Sequence, residues 1–457
     1  MTKQDKKLSI IPFIVLVGIS ILGLVFDGTP KVGVPNSVST VLSKPDTTGD
    51  ITWMLISTAL VLIMTPGLAL FYSGMVSAKN LISTMLQSFI CMGIISILWI
   101  VVGFSLAFGD SIGGFIGNPM TFFMFKGVFD NGISWSLAPT IPLALFAIFQ
   151  LKFAVITPAL ITGSFSERVK FTSYILFACL FSLLIYAPLA HWTWHPEGFL
   201  FKLGVLDFAG GTVVHISAGC AALAAALYLG KRKETVQTDP ANIPYVLLGT
   251  GLLWFGWFGF NAGSAVGAGT LAVSAFAATN TAAAAAGMAW ILFDSVKGKA
   301  PSAMGFCIGV VVGLVAITPA AGFVTIPISI FIGVVASIIS NMMVTWRAKS
   351  GIDDTLDVFP CHGVGGITGM LMTGIFASTA VNVAVAKGNQ GLFYGETTLF
   401  VNHLLALLIV VTFAFGGSYI LLILTNLVSP MRVSEEDEKV GLDVTQHGEK
   451  LTWGGVE

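Results

Sequence analysis

Two short segments bring an acid and an imidazole together inside otherwise apolar sequence. In "DFAGGTVVHISAG" Asp207 precedes His215, with two glycines between them, and in "DVFPCHGVGGITG" Asp357 precedes His362. Read as a helix, the step from Asp207 to His215 rises about 12 Å at ~1.5 Å per residue, which is roughly the depth from the surface to the midplane of a hydrocarbon layer about 30 Å thick. A neutral imidazole offers one donor and one acceptor and exchanges protons near physiological pH. One such histidine is accounted for by packing. Two at matching depth point to a shared hydrogen bond lining a narrow apolar lumen. The glycines after Asp207 permit a local turn whose N–H groups its carboxylate accepts, so a site-shaping role is expected, with its charge raising cation affinity nearby. Asp357 has the mirrored reading, for which a carboxylate at a helix start is a sufficient alternative.

Aromatic residues mark the approach to this segment. Trp194 in "HWTWHPEGF" stands just before Asp207, Phe108 in "SLAFGD" ends an apolar run, and Ser264 in "GFNAGSAVG" follows another. Tryptophans at such ends usually anchor the membrane interface. Beside a vestibule, however, a ring face attracts a small cation by roughly 0.5–2 kcal/mol. Two rings and a hydroxyl acceptor at one mouth suit a small cation with N–H groups to donate. Phe260 in "WFGFNAG" lies just below, where a second ring closes the lumen. His191, His195, His403 and His447 fall at span ends or in the tail and read as surface residues.

The elements that must position these residues follow from composition. The chain has 457 residues, 55% hydrophobic and only 10% charged, with a mean hydropathy of +0.89. Too little polar surface exists to cover a soluble globule. A net charge of -1 gives no case for nucleic-acid binding. The five cysteines are far apart in apolar runs without CxxC or Cys/His ligand spacing, so neither metal nor cofactor is expected. Apolar segments long enough to span recur near 53–73, 81–108, 139–163, 171–190, 208–230, 243–262, 270–293, 302–321, 325–346, 358–380 and 401–427. Strand-like alternation is absent, so the expected class is an all-α polytopic membrane protein with eleven transmembrane helices. A further apolar stretch at 9–26, behind Lys3, Lys6 and Lys7, is a signal peptide or an extra helix; both readings leave the next segment outside.

Basic residues orient the bundle. Loops after odd-numbered spans carry Lys79, Arg168, Lys170, Lys231, Arg232, Lys233, Lys297, Lys299, Arg347 and Lys349, and the tail adds Arg432, Lys439 and Lys450. The other side carries Lys31, Lys44, Lys126, Lys202 and Lys387. Thirteen against five is a positive-inside asymmetry that puts the C-terminus in the cytoplasm. Span five then runs inward and span ten outward. Each brings one histidine toward the midplane, as two inverted five-helix repeats would.

The segments "PGLALFYSGMVSAKN", "DFAGGTVVHISAG", "WFGFNAGSA", "DVFPCHGVGGITG" and "GLDVTQHGE" resemble the ammonium transporter (Amt) family, in the right order and over about residues 51 to 449. The resemblance implies a homotrimer in the cell membrane with a pore through each subunit, for which ammonium or ammonia is the substrate. By position it makes Phe108, Trp194 and Ser264 the outer recruitment site, Phe108 and Phe260 the stacked phenyl gate, and His215 and His362 the paired pore histidines. Asp207 becomes the carboxylate that organises the entrance. Related Rh proteins share the histidine pair but lack the Trp and Ser signature. Lys152 in "AIFQLKFAVITPAL" departs from the uncharged residue expected there, in mid-span, where a cation needs a partner or must snorkel.

The domain reading is an N-terminal hydrophobic segment and linker over 1–50, a membrane domain over 51–430, and a cytoplasmic regulatory tail over 431–457. The resemblance implies that the tail packs under the pores and couples subunits, and that PII-type signal proteins dock on that face. Two other classes compete. An intramembrane enzyme using His215 and His362 as axial haem ligands is disfavoured, because there is a single His pair and no c-type CxxCH accompanies it. An ammonium sensor is the stronger rival. A post-membrane segment of about 30 residues is too short for a fused signalling domain. The expectation is a transporter, not an enzyme.

Overall fold

The computed structural model describes residues 47–233, 239–385 and 389–451, together with 14, 15, 18, 19, 22, 38 and 39. The apolar stretch at 9–26 and the linker after it therefore lie largely outside the described residues. The spans are α1 (Thr48–Met75), α2 (Ala78–Phe108), α3 (Leu143–Phe165), α4 (171–194), α5 (Gly211–Leu229), α6 (Ile243–Gly263), α7 (Thr270–Val296), α8 (Ala303–Ile317), α9 (Ile326–Ser350), α10 (359–376) and α11 (Thr398–Val428). Among the described residues, nine helical runs are long and apolar enough to cross a membrane unaided. The eighth and tenth are shorter. α8 has 15 residues and stops before Pro319, and a buried turn through Val324 carries the chain onward. Irregular backbone at that depth is tolerated because protein, not lipid, surrounds it.

The two halves pack as repeats. α1 lies against α6 and α5 against α10, while the pairings of α1 with α3, α2 with α3 and α3 with α5 return as α6 with α8, α7 with α8 and α8 with α10. Five crossings per half oblige the second copy to run in the opposite direction. Small residues make the central crossing: a Cβ on Gly219 of α5 would overlap the backbone of Gly363 on α10. Without a hydrophobic force between helices in lipid, such close backbone contact is what holds the seam.

Five of the spans leave regular α geometry for one π-helical turn, at Trp99–Gly103, Ser182–Tyr186, Gly211–Ile216, Phe258–Ala262 and Phe359–Val364. Three of these turns hold His215, Phe260 and His362. A π turn re-aims the side chains it carries and is frequent at functional sites.

Two short helices, α12 (Glu435–Val440) and α13 (Leu442–His447), follow the last span and define a tail side of the molecule. The Asp443 carboxylate accepts the first N–H groups of the second span, from Ile82 at 3.0 Å and Ser83 at 2.8 Å. Leu442 N–H donates to Asn80 Oδ1 at 2.8 Å, and His447 stands edge-on to Phe171. On the opposite side β1 (Val38–Ser39) pairs with β4 (Ser134–Trp135), and β2 (Ser111–Ile112) with β3 (Ile116–Gly117), within a long loop.

Candidate functional site: an aromatic column over a histidine pair

His215 and His362 meet in the middle of the bundle. Both are buried, their rings stack at 5.4 Å between centroids, and the two Nδ1 atoms are 3.4 Å apart. Sharing one hydrogen through Nδ1 fixes complementary tautomers: one ring keeps a bare Nε2 acceptor and the other an Nε2–H donor. His215 Nε2 has no protein partner. With the pair in mutual contact, no room remains between the rings for a haem macrocycle.

Above the pair the rings continue. Phe260 stacks on His215 at 5.9 Å, Phe153 stacks on Phe260 at 4.2 Å, and Trp194 meets Phe153 edge-to-face at 6.0 Å. Trp257 also stacks on His215, at 5.3 Å. Trp194 is half-buried, Phe153 and Phe260 are buried, and Ser264 Oγ donates to Phe260 O at 2.8 Å. The column thus runs from an accessible indole, past two stacked phenyl rings, to two imidazoles.

This geometry relocates one expected residue. Phe108 is buried elsewhere, against Trp99, Phe104, Trp135 and Phe146, and neither the mouth nor the stack includes it. Phe153 stands in the place that the sequence reading gave to Phe108. Phe108 ends a span and so looked like a mouth residue, but the end of a helix does not say which way its ring turns. Phe153 belongs to "FQLKF", directly after the conspicuous Lys152. Every residue of α3 is buried except Ala144, Ile148 and Lys152. These three form a stripe at i, i+4, i+8, so Lys152 shares the outward face of its helix while Phe153 turns inward.

Asp207 is saturated by its own chain. Oδ1 accepts N–H bonds from Gly210 at 2.8 Å and Gly211 at 2.7 Å; Oδ2 accepts Thr212 N–H at 2.7 Å and Thr212 Oγ at 2.5 Å. Gly210 has φ +119°, a left-handed turn open to glycine. The backbone carbonyl of Asp207 also accepts Trp194 Nε1–H at 3.0 Å. One residue thereby shapes the start of the His215 turn and orients the mouth indole.

The counterpart in the second half is Asp354 rather than Asp357. Asp354 stands eight residues before His362, the same step as Asp207 to His215. Its Oδ2 accepts Phe359 N–H at 2.7 Å, matching the bond from Thr212 to Asp207 in both position and length. Asp357 instead pairs with Arg347 at 2.7 Å, on the last turn of α9. Three of the histidines read as surface residues are buried. His191 lies between Ser111 Oγ and Ala107 O, His195 stacks on it at 4.3 Å, and His403 joins Leu206 N–H to Met370 O. Each serves packing through bonds to backbone or hydroxyl groups that no pattern in the sequence announces.

On the tail side lies a cavity of ≈ 490 Å³, lined by Lys79, Lys231, Arg232 and Arg347 and by Glu167, Asp353 and Glu438. Arg232 bridges Glu167 at 2.5 Å and Asp353 at 3.0 Å, linking the turns after α3, α5 and α9. Burial alone would raise the Glu167 carboxyl, but Arg232 and the Ser77 hydrogen bonds bring it below the ordinary range.

The profile of the Ammonium Transporter Family matches residues 52–452. The chain is 46% identical to the ammonium transporter of Bacillus subtilis (strain 168), covering 88% of this chain and 98% of that one. Its structure is similar to that of Saccharomyces cerevisiae Mep2, with a TM-score of 0.81 and 33% identity over 89% of this chain and 94% of that one. It is also similar to a sensor Amt protein, with a TM-score of 0.80 and 30% identity over 88% and 98%. A bundle of membrane spans in two opposed halves, with stacked phenyl rings over two contacting histidines, accompanies these matches: the chain belongs to the ammonium transporter family, whose members carry a solute rather than catalyse a reaction.

Proposed function

We propose that the chain recruits NH4+ at Trp194, Phe153 and Ser264, removes its proton at the phenyl stack of Phe153 and Phe260, and conducts NH3 past His215 and His362. The observation that carries this reading is the continuous column from indole to imidazole pair. Trp194 presents a ring face and Ser264 an oxygen to a cation with N–H groups. Asp207 acts through structure: its charge favours a cation nearby while its oxygens stay with the turn. Beyond the rings the lumen is apolar, and a bare ion there costs many kcal/mol, so shedding a proton is the favourable course. Potassium, similar in size, has no proton to shed. The imidazole pair then offers one acceptor and one donor to a neutral ammonia.

The proposal includes the setting. The membrane domain covers 51–430 and assembles as a homotrimer in the cell membrane. The tail, 431–457, is cytoplasmic, and its side takes PII-type signal proteins. The density of basic residues on the tail side supports this orientation. A pull-down with such a protein, with and without 2-oxoglutarate, tests the partner.

Currents and uptake in proteoliposomes test the mechanism. His215→Ala is expected to admit potassium current that the native chain excludes, and Trp194→Leu to weaken the response to dilute ammonium. Unchanged selectivity in the histidine variant overturns the filter. The likeness to a sensor Amt protein gives a second reading, binding without flux, and the same traces separate the two.

A further inference from the structure

The two aspartate turns match in position but differ in how they are satisfied. Asp207 has four donors on its two oxygens. Asp354 is wholly buried, its Oδ2 is bonded to Phe359 N–H, and its Oδ1 has no partner. A buried carboxylate oxygen without a donor is costly as an anion, so burial there favours the neutral acid over the charged form. We propose that Asp354 is a proton-exchanging positioning residue for His362. It is neutral in the tight turn described above and ionised as the pH on the tail side rises, so that ionisation loosens that turn and slows transport.

The proposal rests on the transport reading above and adds regulation to it. The ionisable groups around Asp354 are Asp357 on the same loop, Arg347 on α9, Arg168 and Asp353 at the neighbouring turns, Tyr72 on α1 and Cys361 on α10. Burial first, then the like charge of Asp357, pushes the Asp354 carboxyl up to about 6, against the pull of the Phe359 and Val358 amides and of Arg347. A group with that preference binds its proton more tightly in the closed turn than in a hydrated one. Loosening the turn therefore goes with losing the proton. Phe359, which it caps, opens the π turn that carries His362, and a slack turn draws that ring away from His215. Because entering NH3 consumes protons on the tail side, the device is a brake on alkalinisation.

The experiment is initial ammonium flux in proteoliposomes, sorted by an affinity tag on the tail so that the tail faces the bath. Bath pH is varied from 5.5 to 7.5 with lumen pH and NH4+ fixed. The native chain is expected to slow about fivefold as bath pH rises, a factor set by one strengthened or weakened hydrogen bond. Asp354→Asn keeps the acceptor for Phe359 and supplies a permanent N–H in place of the exchangeable proton. It should be flat across this range, at the acid-limb rate of the native chain. Asp357→Asn, which removes the like charge, should shift the native transition to lower pH. A flat native profile, an Asp354→Asn profile that keeps the native slope, or an unmoved transition in Asp357→Asn each overturns the inference while leaving transport intact. Absence of ammonium-dependent flux in the native chain removes the transport reading itself.

Discussion

The turns that open α5 and α10 are built on one plan, an aspartate eight residues ahead of one of the two contacting histidines and hydrogen-bonded to the opening amides of a π turn. They end in different chemistry. Around Asp207, the N–H groups of two glycines and a threonine and the threonine hydroxyl satisfy both carboxylate oxygens beside Trp194. Around Asp354, the Phe359 N–H bonds one oxygen as the Thr212 N–H does, but Phe359 has no counterpart of the Thr212 hydroxyl and the other oxygen is left bare. Internal symmetry places the groups; the donors within each copy decide how fully each carboxylate is satisfied.

The largest effect that bears on this contrast is expected from Asp207→Asn. An amide nitrogen cannot accept the bonds made by one of the two oxygens, so buried donors lose their partner, at a cost of about 3 kcal/mol. Melting curves in detergent should show that loss, while Asp354→Asn at pH 7.5 melts no lower than the native chain. Equal losses would break the comparison. Next in size is Gly219→Ala, whose methyl must enter the backbone of Gly363 at the seam where both turns meet. It should cost about 2 kcal/mol through overpacking and reduce flux in proteoliposomes.

The pH dependence of stability sharpens the contrast by its sign. The folded-state value of Asp354 lies above that of a free carboxyl, so its contribution is fully present below the ordinary carboxylate range. It is lost as pH rises through about 6. The native chain is thus expected to gain about 1 kcal/mol on acidification from pH 7.5 to 5.5 relative to Asp354→Asn, read from melting curves in detergent. The smallest effect is Asp443→Ala, which removes a helix cap worth about 1 kcal/mol. It should leave the spans intact and appear as faster proteolysis of the tail.

Much of this was legible in the sequence, and the failures share a cause. Long apolar runs gave the spans to within a few residues, because a bilayer sets a minimum length. Asp207, His215 and His362 stood out as ionisable groups in apolar surroundings. Phe153 did not, because α3 is apolar on nearly every face and nothing in its pattern says which side meets the lumen. Asp357 is nearer to His362 and masks Asp354, although the eight-residue step of the first half points to the latter. The π turns are invisible to any test of periodicity, since one extra residue in a ladder leaves no compositional trace.

The carboxylate of Asp443 reaches across the whole length of the sequence to finish a helix that begins at residue 81. Asn80, at the start of that helix, provides no side-chain cap of its own. During synthesis the second span therefore precedes the group that seals its end by 360 residues. The early helix is thus completed only by a late segment of the chain, so a product that stops short of that aspartate leaves the Ile82 and Ser83 amides on the tail side without this acceptor.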